Sequence, residues 1–265
     1  MGRKKIITQP PVKVTALKNN IDVYQPNRLR EESVVDKLLK IESDFIVVAA
    51  YGQILPLEVL NHAPCINLHA SILPQYRGAS PIQQSLINGD SKSGVTAMLM
   101  DVGLDTGDIL QIEEVIIDNE MMVEELFLKL TSIASDLTLS VLKNFSDLSV
   151  EKQDDSKATH CKKIVKADGM VQFEDAKKIY NMYRAFTPWP GIFLESGLKI
   201  KEMKLFDGDS EHKSFEVLEI GADYAKIGCK KGSLLITKVQ PPSKKEMRIT
   251  DYLNGKRITV GNLLS

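Results

Sequence analysis

The apolar positions of the chain change their period several times, and each change marks an element. Val34, Leu38, Leu39 and Ile41 fall at helical spacing over residues 34–41, and the run from Phe45 to Ala50 that follows is unbroken and largely β-branched. The pattern predicts a helix feeding a buried parallel strand, because strands covered on both faces read as continuous apolar runs. A second strand is expected to end at Cys65–His69, a helix to run from Pro81 to Ile87, and further strands to occupy Val95–Met100 and Ile109–Ile117. A long amphipathic helix should follow over Met122–Phe145. Alternating helices and strands imply an α/β sheet whose ligands bind beyond the carboxyl ends of its strands.

The pattern then weakens and restarts. Residues 146–159 are polar, rich in Asp and Lys, and without apolar periodicity, which reads as a connection between domains. The expected division is a first domain over 1–147, a linker over 148–165 and a second domain over 166–265. In the second, a helix is expected over Ala176–Phe186, then short alternating strands at Leu198–Ile200, Phe215–Ile220, Ala225–Cys229 and Leu234–Val239, punctuated by glycines. A small β-barrel of the oligonucleotide-binding type accommodates such strands. The front of the chain breaks the pattern: Arg3–Val14 is basic, contains prolines and reads as a loop, where an α/β domain is expected to open with strand, helix and strand. The first domain is therefore expected to be incomplete at its start and poorly stable as an isolated monomer, since a missing strand leaves backbone groups unpaired.

Charge changes the picture of the second domain. The net charge of -1 conceals 15 Lys+Arg against 22 Asp+Glu in residues 1–160, and 19 against 13 in residues 161–265. A basic module appended to an acidic one is either a solvated surface or a polyanion contact, and composition alone does not choose. The longest apolar run, Phe45–Tyr51, is too short to span a bilayer, and the start carries no apolar leader, so a cytoplasmic location is expected. Met1-Gly2 lacks the hydroxyl residue that myristoylation requires at position six, where Ile6 stands. Cys65, Cys161 and Cys229 are widely separated and odd in number, which argues against a disulfide framework or a zinc site.

The densest chemistry lies in Asn67-Leu68-His69-Ala70-Ser71-Ile72-Leu73-Pro74-Gln75-Tyr76-Arg77-Gly78 and in Leu104-Asp105-Thr106-Gly107-Asp108. Residues two apart on a strand face the same side, so Asn67 and His69 can present an amide and an imidazole to one cavity. An amide donor stabilises negative charge that develops on a carbonyl oxygen, an imidazole can share that task or shuttle a proton, and a carboxylate such as Asp105 would orient the imidazole. Singly, each has a plainer reading: an Asn at a strand end forms turns, a His is commonly structural, and Leu-Asp-Thr-Gly makes an Asx turn. His62, His160 and His212 lack such company and read as surface residues.

Taken with Val47-Val48-Ala49-Ala50-Tyr51-Gly52-Gln53-Ile54-Leu55-Pro56, these strings match in order and spacing the pattern of the folate-dependent formyltransferases, a family the chain resembles. The resemblance implies a Rossmann-like catalytic domain and 10-formyltetrahydrofolate as formyl donor, with no metal. It implies that Asn67 and His69 act on the formyl oxygen and that Asp105 holds His69 and an ordered water. It further implies that Ser71, Ile72, Leu73 and Pro74 line the folate site, with Gln53, Ile54 and Leu55 against the pterin end. Three later strings, Arg184–Gly191, Val239–Met247 and Tyr252–Gly255, look like the C-terminal domain of those members that act on methionyl-tRNA. An initiator methionyl-tRNA acceptor is thereby implied, with Arg3, Lys4, Lys5, Lys244, Lys245 and Arg248, and beside them Lys256 and Arg257, as phosphate contacts, and with no membrane and no obligate protein partner. Formyl transfer to a sugar nucleotide or purine precursor, hydrolysis of a formyl-folate, and a catalytically impaired tRNA-binding fragment are the competing readings. Trp189, flanked by prolines, is expected to be a packing anchor.

Overall fold

A computed structural model describes residues 8–264, which fall into two compact units. One combines the residues up to Asp44 with Gln53–Ala63. Its helices are α1 (Pro11–Lys18), α2 (Glu32–Leu39) and α3 (Leu57–Leu60). Of the loop expected over Arg3–Val14, residues 3–7 lie outside the described residues, and the helix α1 corrects it from Pro11 onward: Pro11 sits in its first turn, where a missing N–H costs nothing. None of its residues is buried. The buried apolar side chains of this unit are Leu29, Val35, Leu55, Val59 and Ala63.

The other unit takes Phe45–Gly52 and everything from Pro64 onward. Its first part contains β1 (Ile46–Ala49), β2 (Cys65–His69), β3 (Arg77–Gly78), α4 (Pro81–Asn88), β4 (Lys92–Leu99), β5 (Ile109–Ile116) and α5 (Val123–Asn144). Four of the strands form a sheet in the order β1-β2-β4-β5. The pair β1 and β2 is parallel, as the continuous run predicts, with Ile46 opposite Cys65. The expected full burial of β1 is not met: Val48 is 8% exposed but Val47 43%, and among the described residues β1 pairs with β2 alone, at the edge of the sheet. The strands β2, β4 and β5 are antiparallel where they pair; for β4 and β5 the 100–108 connection returns directly, without the crossover helix that parallel pairing needs.

The core of this sheet is Ile66, Leu68, Val95, Ala97 and Leu110, clustered with Leu126, Leu130, Leu137 and Val141 of α5. Those four positions recur at the spacing of one helical face, and burying each contributes about 2 kcal/mol. Glu124 and Glu125 in the first turn and Lys143 in the last suit the helix dipole.

Beyond α5 come β6 (His160–Cys161), which runs parallel to β3, and then α6 (Ala176–Phe186), β7 (Ile192–Phe193), β8 (Lys199–Asp207), β9 (Val217–Ile220), β10 (Ala225–Gly228), β11 (Ser233–Gln240), β12 (Met247–Arg248) and α7 (Ile249–Lys256). A six-stranded antiparallel sheet follows the order β7-β8-β11-β10-β9, with β12 also on β11, the strand set of a small barrel-like domain. The inward side chains include Ile227, Leu234, Ile236 and Val239, each at 0% exposure, and register shifts between β8 and β11 interrupt the simple alternation. The helix α6 starts at Asp175, whose carboxylate accepts from the Lys178 N–H at 3.1 Å. Its buried Arg184 donates to the carbonyls of Asp118 at 3.1 Å and Met121 at 3.3 Å, binding the second part to the first. Trp189 corrects the expectation of a packing anchor: it is 60% exposed, and its neighbours Phe186 and Ile192 fill the core instead.

Candidate functional site

The carboxyl end of β2 builds one wall. Its register on β4, with Asn67 opposite Met98 and His69 opposite Thr96, places both residues on one face of the strand. The 100–108 loop between β4 and β5 brings in Asp105. Asn67 Nδ2 lies 3.4 Å from Asp105 Oδ1, and His69 Nδ1 lies 3.6 Å from Asp105 Oδ2. The three side chains singled out by their spacing and motifs therefore meet, largely shielded from solvent, with the His69 and Asp105 side chains 7% and 12% exposed.

Each is fixed by groups beneath it. His69 Nε2 lies 2.9 Å from the Tyr76 carbonyl oxygen, and since a carbonyl only accepts, Nε2 must carry a proton. The nitrogen turned toward Asp105 is thus Nδ1. The Gly78 N–H donates to Asp105 Oδ2 at 2.8 Å. That contact needs an unusual backbone: Gly78 has φ +117, and a Cβ there would collide with the Cys161 carbonyl oxygen across the β3–β6 pair. Asp105 itself adopts φ +54 and Tyr76 φ +58, left-handed conformations that cost on the order of 1 kcal/mol each and concentrate at functional sites.

The neighbouring 71–74 segment is pinned from below. Thr96 Oγ1 donates to the Ser71 carbonyl at 2.7 Å and accepts from the Leu73 N–H at 3.1 Å, and Ser71 Oγ donates to the Gln75 carbonyl at 2.6 Å. Leu73 packs with Met98 and Ile109 in a small cluster of its own. The side chains of Ser71 and Leu73 are therefore committed to the fold, while Ile72 and Pro74 are half-buried. Tyr76 donates its hydroxyl to Asp90 Oδ2 at 2.6 Å. Burial first, and then this bond, pushes its phenol up to about 12.

Other candidates lie elsewhere. Gln53, Ile54 and Leu55 belong to the other unit, where Gln53 Oε1 accepts from the Leu29 N–H at 2.9 Å, Ile54 is 62% exposed and Leu55 is buried. Lys244, Lys245 and Arg248 are exposed beside β12, and Lys256 and Arg257 are exposed at the end of α7. Arg3, Lys4 and Lys5 lie outside the described residues. Among the described residues no group of three or more His, Cys, Asp or Glu side chains is arranged to hold a metal, and no helix is long and apolar enough to cross a membrane.

Residues to which the sequence assigned no role also reach the site. Gln153, 7% exposed, donates from Nε2 to the carbonyls of Asp105 at 2.9 Å and Gly107 at 2.7 Å. Its Oε1 accepts from Arg77 Nε at 3.0 Å and Nη2 at 2.8 Å. Arg77, 4% exposed, also pairs with Asp155 Oδ1 at 2.8 Å. Arg77 and Gly78 close the Asn67–Gly78 string, which was their signal; Gln153 lies in a polar stretch with none.

Known proteins resemble the chain along its whole length. The family described as formyl transferase matches residues 1–142, and the formyl transferase C-terminal domain matches residues 163–257. A methionyl-tRNA formyltransferase of Sulfurimonas denitrificans is 58% identical over 265 residues, covering 100% of this chain and 88% of the relative. One from a Nitratiruptor species is 53% identical over 264 residues, 99% of this chain and 87% of the relative. Among solved structures, an N-formyltransferase from Helicobacter canadensis in complex with folinic acid and dTDP-3-aminofucose superposes with a TM-score of 0.66 at 18% identity, covering 84% of this chain and 80% of the other. HypX from Aquifex aeolicus in complex with tetrahydrofolic acid gives 0.62 at 18% identity, covering 85% and 41%. These two show likeness of fold.

Proposed function

The chain belongs to the formyl transferase family, and from that premise we propose that it transfers the formyl group of 10-formyltetrahydrofolate to the amino group of methionine carried on initiator tRNA. The observation that carries this reading is the convergence of Asn67, His69 and Asp105 at the end of β2. Relatives 53–58% identical along almost the whole chain carry the name of that activity, which supports the choice of acceptor.

In the proposed step the amine attacks the formyl carbon directly, the carbon–nitrogen bond to the carrier breaks, and the folate amine leaves with a proton. Asn67 donates an amide proton to the carbonyl oxygen as negative charge gathers there, an interaction that lowers such barriers by about 3 kcal/mol. His69 offers Nδ1 to the proton released by the attacking amine, because Nε2 is held on the Tyr76 carbonyl. Asp105 faces that nitrogen and balances its charge when protonated. Ile72 and Pro74 are the proposed folate contacts. Lys244, Lys245 and Arg248, exposed on the basic half, are the proposed tRNA phosphate contacts, together with Arg3, Lys4 and Lys5. The proposed setting is the cytoplasm, at translation initiation.

Incubation with 10-formyltetrahydrofolate and charged initiator tRNA should yield formylmethionyl-tRNA. An aminosugar nucleotide in its place should yield nothing. Turnover with the small amine alone would reject the tRNA reading, and salt-dependent tRNA binding without consumption of the donor would leave a binding protein.

A further inference from the structure

We infer that Gln153 is a positioning residue for Asp105, acting from the polar segment that follows α5. The inference rests on the reading of Asn67, His69 and Asp105 as the reacting groups, and adds to it the part that holds the carboxylate in place.

The geometry is that of a lock. The backbone of Asp105 is left-handed, at φ +54, and would relax if its loop were free. The Gln153 amide spans the loop from outside, one side-chain nitrogen giving its two protons to the carbonyls of residues 105 and 107. Gly107 between the strand and this amide admits no side chain, since a Cβ would collide with the Leu99 carbonyl oxygen. The other end of the same amide is fixed by the Arg77 guanidinium, which Asp155 orients in turn. Arg77 immediately precedes Gly78, whose N–H donates to the carboxylate itself. Backbone and side chain of Asp105 are thus set from two directions by one buried network. Around it the chain adds further ties: Ile109 and Glu151 exchange backbone hydrogen bonds at 2.8 and 2.9 Å, which fixes the register of residue 153 on β5.

An amide is the one group that meets these demands. A buried carboxylate at position 153 would satisfy Arg77 but would face two carbonyl oxygens with no proton to give. An apolar residue would leave both carbonyls and Arg77 Nε without these partners. The network therefore specifies glutamine by its donor count at one end and its acceptor at the other.

The test is a double-mutant cycle on kcat for formyl transfer. Gln153→Ala should lower kcat by about 10²-fold, the cost of displacing a reacting group by roughly an ångström, with KM for both substrates within about twofold of the parent. In an Asp105→Asn background, the same substitution should change kcat by less than about twofold, because its effect runs through the carboxylate. Gln153→Glu keeps the pairing with Arg77 and is the variant chosen to stay folded; it should be as slow as Gln153→Ala. A full further loss on top of Asp105→Asn would make Gln153 merely structural and overturn the inference, as would parental kcat in folded Gln153→Glu or, if that variant does not fold, in Gln153→Ala. Parental activity in Asp105→Asn itself would instead reject the underlying site, so the two failures are distinguishable.

Discussion

The two ends of the larger unit solve opposite problems. The antiparallel sheet β7–β12 is ordered by packing: Ile227, Leu234, Ile236 and Val239 on its strands, and Leu253 of α7, are fully buried, and a buried apolar face of this kind specifies strand register. The loops at the end of β2 are ordered by polar contacts instead. There a carboxylate, an imidazole and a buried amide each hold a neighbouring backbone, a buried guanidinium fixes the amide, and two non-glycine residues stand at positive φ. A packed core tolerates few polar groups without a partner, and a reacting site cannot be made of apolar ones. Stability and reactivity are thus assigned to separate residues, so the two should be separable by substitution.

The largest effect should come from the polar side. His69→Ala and Asn67→Ala are expected to cut kcat by about 10²–10⁴-fold, measured by formation of formylmethionyl-tRNA, while leaving tRNA affinity and melting temperature close to those of the parent. A fall in melting temperature as large as that of a core substitution would break the separation. From the packed side, Leu234→Ala should cost about 2–5 kcal/mol in urea unfolding and leave kcat unchanged at temperatures where the chain is folded.

Smaller effects sharpen the contrast. Replacing Lys244, Lys245 and Arg248 with Gln should weaken tRNA binding and flatten its salt dependence, by about one unit of log–log slope for each phosphate no longer neutralised, with kcat at saturating tRNA preserved. A slope indistinguishable from the parent would remove these residues from the interface. Alkaline unfolding divides the two regions again. The Tyr76 phenol is pushed up to about 12 by burial and by Asp90, and burial pushes the Cys229 thiol up to about 12. Both folded groups hold their protons more tightly than unfolded ones, so the stability they contribute is present below their ordinary values of 10.0 and 9.0 and is lost as pH rises toward 12. Tyr76→Phe should flatten the upper part of that fall, and Cys229→Ala should flatten the part beginning lower.

How far the sequence foretold this depends on whether a residue's partners are near it in the chain. The parallel strand β1, the helices α4, α5 and α6, the strands β9, β10 and β11 and the start of β8 follow from period alone, because periodicity reports which face is covered; the two-residue strands β7 and β12 are too short to show one. Asn67 and His69 were legible together, being two apart on one strand. Asp105 was legible through its motif, though its left-handed backbone was not. The exposure of Val47 was hidden, since a run of β-branched residues does not say how many neighbours its strand has. Trp189 misled, because a large aromatic between prolines reads as an anchor while its exposure depends on how the turn after α6 is directed. Gln153 was illegible for the same kind of reason: its partners Arg77 and Asp105 stand 76 and 48 residues away, and nothing in a polar stretch marks the one side chain that turns inward.

The central claim is that the Asp105 carboxylate, tied to its loop by the Gly78 N–H and held against His69 and Asn67, serves formyl transfer and not the stability of the packed core. Single-turnover formylation by Asp105→Asn, with melting temperature and tRNA binding measured on the same preparation, tests it most directly. The expected rate is at least about 10²-fold below the parent, with binding and melting temperature nearly unchanged. A rate within a few-fold of the parent in a folded, tRNA-binding protein would contradict it.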